Sequence, residues 1–411
     1  MDNKRTNKDI SGLTNEALSR LDETMKVFND MKTSKEVESK EQQTKTIRLN
    51  RFDRFCNLRN NIENWILNVE FKDFVEEIQS MVIGQPAVIE VIANVYNYLD
   101  NIALCNNDIN NNMIIAAPSG CGKTQTYRAL SKYFAKHIPE LIIYTFDMTS
   151  LTPAGYKGVE PSDILKPFFS TGLSDAIGIV FLDEFDKKLL PSTTSSGENV
   201  NFEVQSSILT LIEGQLVQNK QGQYIDTSKI MFVGLGSFDY FRENRENMKA
   251  EVGFNRESIS EEVDHFADIT RENIIEVGGT NELIGRFPYI VNYKKLDEDS
   301  VLEIIRSISA KVTNSFSLGK LILRPDFVNE LMKIANGKFG CRLLDSLIRE
   351  LTLKAYSRAL SDKNKSDVLE IYIENSKESA YHWREYTKEE MEELNEKLET
   401  VHIDDLLRAA F

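Results

Sequence analysis

Cysteine is scarce in this sequence, and the spacing of the few cysteines excludes two common structural devices. The 411-residue chain has four, Cys56, Cys105, Cys121 and Cys341, and no Cys-x-x-Cys pair. Cysteines so far apart predict neither a zinc knuckle nor a disulfide framework, because both need partners at short, regular intervals. A reducing compartment, the cytoplasm, suits such a chain.

Long apolar runs and an excess of positive charge are also missing. No run approaches the roughly 18 apolar residues of a membrane span, and the N-terminus is charged from its second residue, so we expect neither a span nor a signal peptide. The formal net charge of −15 argues against a surface that wraps nucleic acid, because phosphates require a basic face. The length predicts about two or three domains.

A phosphate-loop motif follows a short apolar run. Met113-Ile114-Ile115-Ala116 predicts a buried strand, and Ala-Pro-Ser-Gly-Cys-Gly-Lys-Thr occupies positions 117–124. The glycines let backbone N–H groups converge on a β-phosphate, the lysine neutralises phosphate charge, and the threonine hydroxyl reaches Mg²⁺. The residues predicted to bind nucleotide here are Ser119, Gly120, Cys121, Gly122, Lys123, Thr124 and Gln125.

Two carboxylates end a second apolar run. Ile179-Val180-Phe181-Leu182 predicts a strand buried on both faces, and Asp183-Glu184 follows it. At the carboxyl end of a parallel strand such a pair lies in the ligand crevice. We expect Asp183 and Thr124 to hold the Mg²⁺ shell and Glu184 to orient and polarise the attacking water. The pattern therefore predicts hydrolysis of a nucleoside triphosphate, with a further strand at 141–146 between the two motifs.

Further short motifs give the chain a resemblance to a known family. They are Val-Ile-Gly-Gln at 82–85, Asp-Glu-Phe-Asp-Lys at 183–187, Leu-Ile-Glu-Gly at 211–214, Asp-Thr-Ser-Lys-Ile at 226–230 and Glu-Leu-Ile-Gly-Arg-Phe-Pro at 282–288. With the phosphate loop, they resemble the AAA+ ATPases of the Clp/Hsp100 group, closest to the ClpX-type unfoldase subunits. The resemblance implies an α/β P-loop NTPase fold, with a parallel sheet flanked by helices, a smaller mainly helical C-terminal domain and a helical N-terminal extension.

The resemblance also implies how an ATP and Mg²⁺ site is completed. Val82 and Ile83 match the adenine-contacting box, and Arg342 resembles the sensor-2 arginine, which links the small domain to nucleotide in the same chain. Arg286 resembles the arginine finger, which reaches the γ-phosphate of a neighbouring subunit and so implies a homo-hexameric ring. For each arginine the alternative is a surface salt bridge. The sensor-1 position stays unassigned, because residues 234–237 lack the usual Asn or Thr.

Two loops resemble the family's contacts with other proteins. The first resembles the pore loop that grips a polypeptide substrate, and it comprises Gly155, Tyr156, Lys157 and Gly158. The second resembles the loop that docks on a ClpP-type peptidase, and it comprises Val252, Gly253 and Phe254. The alternatives are an ordinary glycine turn for the first loop and an anchor packed on its own domain for the second.

The resemblance and the periodicity together predict four regions. Residues 1–70 form a helical extension and linker, without the four-cysteine zinc signature of the family, and a helix at 52–69 has the spacing of a buried core helix rather than of a partner-docking surface. Residues 71–290 form the large ATPase domain, and residues 386–411 form an acidic helical tail. Residues 291–385 form the small domain, with helices at 298–315, 325–336 and 340–361 and one late strand at 368–373.

Three functions are open at this point. The first is an ATP-dependent unfoldase that threads polypeptides through a hexameric pore and delivers them to a ClpP-type peptidase. The second is a peptidase-independent remodeller of a specific protein complex. The third is a DNA-directed AAA+ motor, which the negative charge and the absence of a helix-turn-helix or zinc module disfavour.

Overall fold

The computed structural model describes residues 54–106, 110–152, 159–171, 176–192, 199–242, 266–335, 340–362, 368–374 and 378–384. Within these ranges the helices are α1 (54–68), α2 (Phe71–Gln79), α3 (Val88–Ala103), α4 (Lys123–His137), α5 (Lys166–Thr171), α6 (Asp186–Leu189), α7 (Val200–Ile212), α8 (239–242), α9 (Arg271–Glu276), α10 (Asn281–Ile284), α11 (Glu298–Ser315), α12 (Pro325–Ala335) and α13 (Arg342–Asp362). The strands are β1 (Met113–Ala116), β2 (Ile142–Asp147), β3 (Gly178–Asp183), β4 (Leu216–Gln218), β5 (Tyr224–Asp226), β6 (Ile230–Gly236), β7 (Tyr289–Asn292), β8 (Lys320–Leu323), β9 (Val368–Glu374) and β10 (Glu378–Arg384).

A five-stranded parallel sheet forms the centre of the nucleotide-binding part. Its strand order is β2-β3-β6-β1-β7, and every neighbouring pair is parallel. Every residue of β1 and β6 is buried, as expected for strands covered by helices on both faces. The predicted α/β fold with a parallel sheet flanked by helices is confirmed.

The register of this sheet brings the two sequence motifs to one edge. Ala116 at the end of β1 lies opposite Gly236, and Leu182 near the end of β3 lies opposite Gly234. The carboxyl ends of β1, β3 and β6 are therefore adjacent. In open parallel sheets this edge is where ligands bind.

Glycine in β6 makes room for the chain segment that follows β3. A Cβ atom added to Gly234 would lie 2.7 Å from Phe185 Cδ1, so the Phe185 ring lies directly on this glycine. The Phe185 amide also donates a hydrogen bond of 2.8 Å to the Leu235 carbonyl. These two contacts fix the backbone immediately after Glu184.

Helix α1 contributes to the core, as its apolar spacing predicts. Ile62 is fully buried and Trp65 is almost fully buried. The Trp65 indole lies 5.3 Å from both the Phe74 and Phe134 rings, between centroids, and donates a hydrogen bond of 3.3 Å to the Tyr133 hydroxyl. Aromatic contacts of this kind bury large areas, so this helix stabilises the part of the molecule that holds the phosphate loop.

The C-terminal part contains a second core, and here the prediction of one strand is wrong. Three strands form a sheet in the order β10-β9-β8, with β8 parallel and β10 antiparallel to β9. Strand β8 has four residues, and β10 mixes charged, small and aromatic residues, so neither produces a clear alternating pattern. Both are recognisable only once they pair with β9.

The boundaries predicted for the four regions stay a prediction. Residues 1–53 of the predicted helical extension and the acidic tail lie outside the described residues, and the described residues from 58 onward group into one compact unit. No helix in the described ranges is long and apolar enough to cross a bilayer.

Candidate nucleotide site

The phosphate loop has the backbone that its glycines predict. Strand β1 ends at Ala116 and α4 begins at Lys123, with Gly120 and Gly122 in the left-handed region at φ 82° and 96°. Only glycine adopts this conformation without strain. The free N–H groups of the first turn of α4 face the carboxyl edge of the sheet, and such a helix start attracts anions.

Lys123 is held in this loop by backbone carbonyl groups. Its Nζ atom donates hydrogen bonds to the carbonyl oxygens of Ala117 and Pro118, the latter at 3.0 Å. No described carboxylate forms a salt bridge with it. Burial lowers the pKa of Lys123, and the surrounding Cys121, Asp186, Asp239 and Asp183 raise it again. A half-buried ammonium whose described hydrogen-bond acceptors are neutral carbonyls favours an anionic ligand such as phosphate.

Glu184 has a strained backbone at the end of β3. Its φ is 55°, a left-handed value that costs a non-glycine residue about 1–3 kcal/mol. The Glu184 amide donates a hydrogen bond of 3.1 Å to Asp183 Oδ1, and the Phe185 contacts hold the following peptide. The strain therefore occurs at the residue that the sequence predicts to act on water. Backbone outliers of this kind concentrate at active sites.

The electrostatics of Glu184 suit a base. Partial desolvation raises the pKa of its carboxyl above the ordinary 4.5, and the carboxylates of Asp186 and Asp183 raise it further, while Lys187 and Lys123 act in the opposite direction. A raised pKa increases the strength of the carboxylate as a proton acceptor. Asp183 and Glu184 end β3 and Lys123 follows the end of β1, so the sheet register brings these three predicted site residues to the same edge.

Asp186 is a site residue that the sequence reasoning missed. Its buried Oδ2 atom accepts hydrogen bonds from the Phe238 amide at 3.1 Å and from Ser237 Oγ at 3.3 Å. It thereby joins the segment after β3 to the end of β6, where the sensor-1 residue was left unassigned. Its position as the fourth residue of the Asp-Glu-Phe-Asp-Lys motif could have indicated a role in the site.

The segment 82–85, which the resemblance assigns to adenine, lies beside the phosphate loop. Val82 is buried, Ile83 is half-buried, and a Cβ atom added to Gly122 would lie 3.7 Å from side-chain atoms of both Val82 and Gln85. Gln85 holds the segment in place, because its side-chain amide donates to the Lys294 carbonyl at 2.8 Å and accepts from the Lys294 amide at 3.1 Å.

The start of α13 also reaches the loop. Gly340 has φ 53°, and a Cβ atom there would lie 2.7 Å from the Ser119 carbonyl oxygen and 3.3 Å from Gly120 Cα. Arg342, the first residue of α13, is exposed and follows two residues later. The fold therefore brings the predicted sensor-2 segment to the phosphate loop of its own chain.

Arg286 lies at the other edge of the sheet. It precedes β7, which runs parallel to β1, and its carbonyl accepts a hydrogen bond of 3.3 Å from Asn112, just before β1. The length of β1, roughly 13 Å, therefore separates it from the phosphate loop of its own chain. Its half-exposed guanidinium forms a 2.7 Å ion pair with Glu213.

Thr124 and Asp183 fit a magnesium ion that arrives with phosphate. Thr124 is exposed in the first turn of α4, and Asp183 is half-buried at the end of β3. No group of three or more His, Cys, Asp and Glu within the described ranges could hold a metal ion. Magnesium commonly uses one or two protein oxygens together with phosphates and water, which agrees with this donor set.

Both predicted protein-contacting loops lie outside the described residues. These are the loop with Gly155, Tyr156, Lys157 and Gly158, and the loop with Val252, Gly253 and Phe254. Their roles, like those of the nucleotide-site residues, stay predictions.

Comparison with known proteins agrees with this geometry. The family model for the AAA domain (Cdc48 subfamily) matches residues 109–290. The ATP-dependent Clp protease ATP-binding subunit ClpX of Porphyromonas gingivalis is 28% identical over 74% of this chain and 80% of its own length. The subunit of the same name from Treponema denticola is 28% identical over 73% of this chain and 79% of its own length. The phosphate loop, the parallel sheet and these matches fit a ClpX-like AAA+ protein.

Proposed function

We propose that this protein is an ATP-driven unfoldase that threads polypeptides through a homo-hexameric ring and delivers them to a ClpP-type peptidase. The observation that carries the proposal is the convergence of Lys123, Glu184 and Gly340 at one edge of a parallel sheet, in a chain similar to ClpX subunits. We place its activity in the cytoplasm.

The residues at the carboxyl edge have distinct roles in hydrolysis. With ATP bound, Lys123 would turn from the carbonyls of its own loop to the β- and γ-phosphates, and Thr124 and Asp183 would hold the accompanying Mg²⁺. Glu184 orients the attacking water and polarises it towards the γ-phosphorus. Magnesium-ATP, when bound, supplies the phosphoanhydride bond whose cleavage drives the cycle.

Arg286 acts on the neighbouring subunit in this proposal. Its position at the amino edge suits a group that is exposed to a partner rather than to its own nucleotide. The ion pair with Glu213 is half-exposed, and such pairs contribute only about 0–1 kcal/mol. Arg286 can therefore leave Glu213 for a phosphate of a neighbouring subunit at small cost, and a ring follows from this requirement.

Tyr156 and Phe254 have separate roles: the first in unfolding the substrate polypeptide, the second in delivering it to the peptidase. Tyr156, between glycines, grips the polypeptide as an apolar paddle, and Phe254 docks in an apolar cleft of the peptidase. The peptidase-independent remodeller shares the first role and lacks the second. Nucleic acid is not a partner in either form.

The test compares two variants that serve as controls for each other. Unfolded protein is expected to raise the ATPase rate of the parent protein, whereas double-stranded DNA leaves it unchanged. Tyr156→Ala is expected to hydrolyse ATP within a few-fold of the parent rate yet fail to unfold a stable tagged protein. Phe254→Ala is expected to unfold that protein normally and to lose ATP-dependent cleavage by ClpP from the same cell.

Three results would count against the proposal. Stimulation by DNA and not by protein would favour the DNA-directed motor. Normal unfolding by Tyr156→Ala would remove the pore-loop assignment. Equal cleavage with and without Phe254, or no ATP-dependent association with ClpP, would favour the peptidase-independent remodeller.

A further inference from the structure

Two cysteines that are distant in the sequence lie in segments that meet at the Ser119 carbonyl of the phosphate loop. Cys121 Sγ lies 3.9 Å from the Ser119 carbonyl oxygen. The segment that carries Cys341 also reaches this oxygen, because a Cβ atom on the adjacent Gly340 would lie 2.7 Å from it. The peptides that precede both cysteines are also in contact, at Gly340 and Gly120.

Neither of the two thiols is fully exposed. Cys121 is 5% exposed and Cys341 is half-buried, whereas Cys105 is exposed. Burial raises the pKa of Cys121, against the effect of Lys123 and Arg242. Burial and, second, the charge of a Cys121 thiolate raise the pKa of Cys341 to about 11. Burial, the first cause for both groups, thus favours the protonated form of both thiols.

We propose that Cys121 and Cys341 form an oxidation site, at which an intramolecular disulfide joins the phosphate loop to the start of α13. Formation of the bond depends only on this geometry. Its effect on turnover rests on the proposed ATPase function. A cytosolic disulfide of this kind is transient and responds to the redox state of its surroundings.

The oxidant is a low-molecular-weight disulfide. Cys341, the more accessible thiol, attacks one sulfur of that disulfide as a thiolate, forms a mixed disulfide and releases one small thiol. The Cys121 thiolate then attacks the Cys341 sulfur and releases the second small thiol. Two cysteine thiols are oxidised, one external disulfide is reduced to two thiols, and the cysteine protons end on the released thiols.

The bond would restrain the loop that has to accept phosphate. Lys123 is hydrogen-bonded to the carbonyls of Ala117 and Pro118, and these must yield when its ammonium turns to a ligand. A covalent link at Cys121 holds the same loop against Gly340. We expect oxidation to lower ATP turnover by about tenfold or more, within the usual range of coupling between sites.

The experiment uses the full chain with Cys56→Ser and Cys105→Ser, which leaves Cys121 and Cys341 as the two thiols. The nucleotide-free protein is incubated with oxidised glutathione at several pH values and mapped by mass spectrometry without reduction. We expect one linked peptide pair that contains Cys121 and Cys341, in a single chain, forming faster as pH rises because the thiolate is the reacting species. ATP turnover is expected to fall and to return with dithiothreitol.

Two further variants in the same background separate the formation of the mixed disulfide from its resolution. Cys121→Ser is expected to retain glutathione on Cys341, because no second thiol resolves the mixed disulfide. In Cys341→Ser, Cys121 is expected to stay a free thiol and ATP turnover to stay unchanged after the same treatment, because buried Cys121 does not react by itself.

Specific results would overturn the inference. Two free thiols after prolonged incubation at high pH, or a disulfide that links two chains, would exclude the intramolecular site. An intact disulfide with undiminished turnover would exclude the restraint on the loop. A disulfide in a protein that never hydrolyses ATP would leave the oxidation site standing and refute only the proposed function.

Discussion

The two edges of the parallel sheet hold their charged residues in different ways. At the carboxyl edge, Lys123 is half-buried and hydrogen-bonded to backbone carbonyls, Glu184 has a left-handed backbone, and Gly340 lies against the Ser119 carbonyl. At the amino edge, half-exposed Arg286 is held through its side chain by a single ion pair with Glu213. The first arrangement is set by backbone and packing, and the second by one solvent-screened contact.

This difference indicates which charged groups are already held in place before nucleotide binds or subunits assemble. A group that acts on nucleotide in its own chain gains from a rigid position, because preorganised charges need no rearrangement during reaction. A group that acts across a subunit boundary has to adjust as the boundary forms, and a weak pair leaves it free to do so. The substitutions below test this contrast, from the largest expected effect to the smallest.

Arg286→Ala tests whether the amino edge takes part in hydrolysis. We expect turnover to fall by about 10³-fold or more, the range for loss of an arginine finger, with ATP affinity largely kept. Fluorescent-nucleotide binding and steady-state ATPase assays measure the two quantities. Arg349→Ala is the control, because Arg349 is also partly exposed and paired with a carboxylate, Asp345, at 2.9 Å. Normal turnover in Arg286→Ala would leave Arg286 as a surface salt bridge only.

Glu184→Gln tests the carboxyl edge. The amide keeps the shape of the side chain but does not accept a proton, so turnover is expected to fall by about 10²-fold to 10⁴-fold while ATP still binds. Glu203→Gln, on the exposed face of α7, is the matched control. If Glu184→Gln hydrolyses ATP at a rate near that of the parent, the base lies elsewhere.

Gly340→Ala tests the close approach of α13 to the phosphate loop. The new Cβ would lie 2.7 Å from a backbone oxygen, so loop or helix must shift, and we expect ATP affinity to fall by about tenfold. Gly222→Ala is a matched control for backbone strain, because Gly222 has φ 77° yet its Cβ would meet only a Gln218 side-chain atom, at 3.6 Å. Equal ATP affinity in the two variants would show that the Gly340 contact does not affect the site.

The pH dependence of turnover tests the electrostatics of Glu184. The pKa of Glu184 is raised above 4.5. As pH falls, its carboxylate is therefore protonated at a higher pH than that of an ordinary glutamate. Below that pKa, turnover is expected to decrease by about tenfold per pH unit. The midpoint of this acid limb, measured at saturating ATP where the fold is intact by circular dichroism, should lie above 4.5. A midpoint at or below that value would argue against Glu184 as the titrating group.

Glu213→Gln is expected to have the smallest effect. The half-exposed pair contributes only about 0–1 kcal/mol, so turnover and thermal stability are expected to stay within a few-fold and a few degrees of the parent. ATPase assays and thermal unfolding check this. A loss as large as that of Arg286→Ala would mean that Glu213 has a direct role at the subunit boundary.

Local sequence patterns determined much of the nucleotide site. The apolar run of β1, the glycines at 120 and 122 and the start of α4 are properties of consecutive residues, because strand burial, left-handed backbone and helix initiation depend on immediate neighbours. The acidic pair after β3 was predictable for the same reason. The fold class followed from these motifs and was confirmed by the sheet.

Tertiary structure alone decided the contacts between distant segments. The approach of Gly340 to Ser119, the pair between Arg286 and Glu213, and the strands β8 and β10 beside β9 depend on how the completed sheets and helices pack. The left-handed backbone of Glu184 also belongs here, because the packing of Phe185 on Gly234 holds it. No local propensity encodes such contacts, since each one requires two segments whose separation in space is set by the rest of the fold.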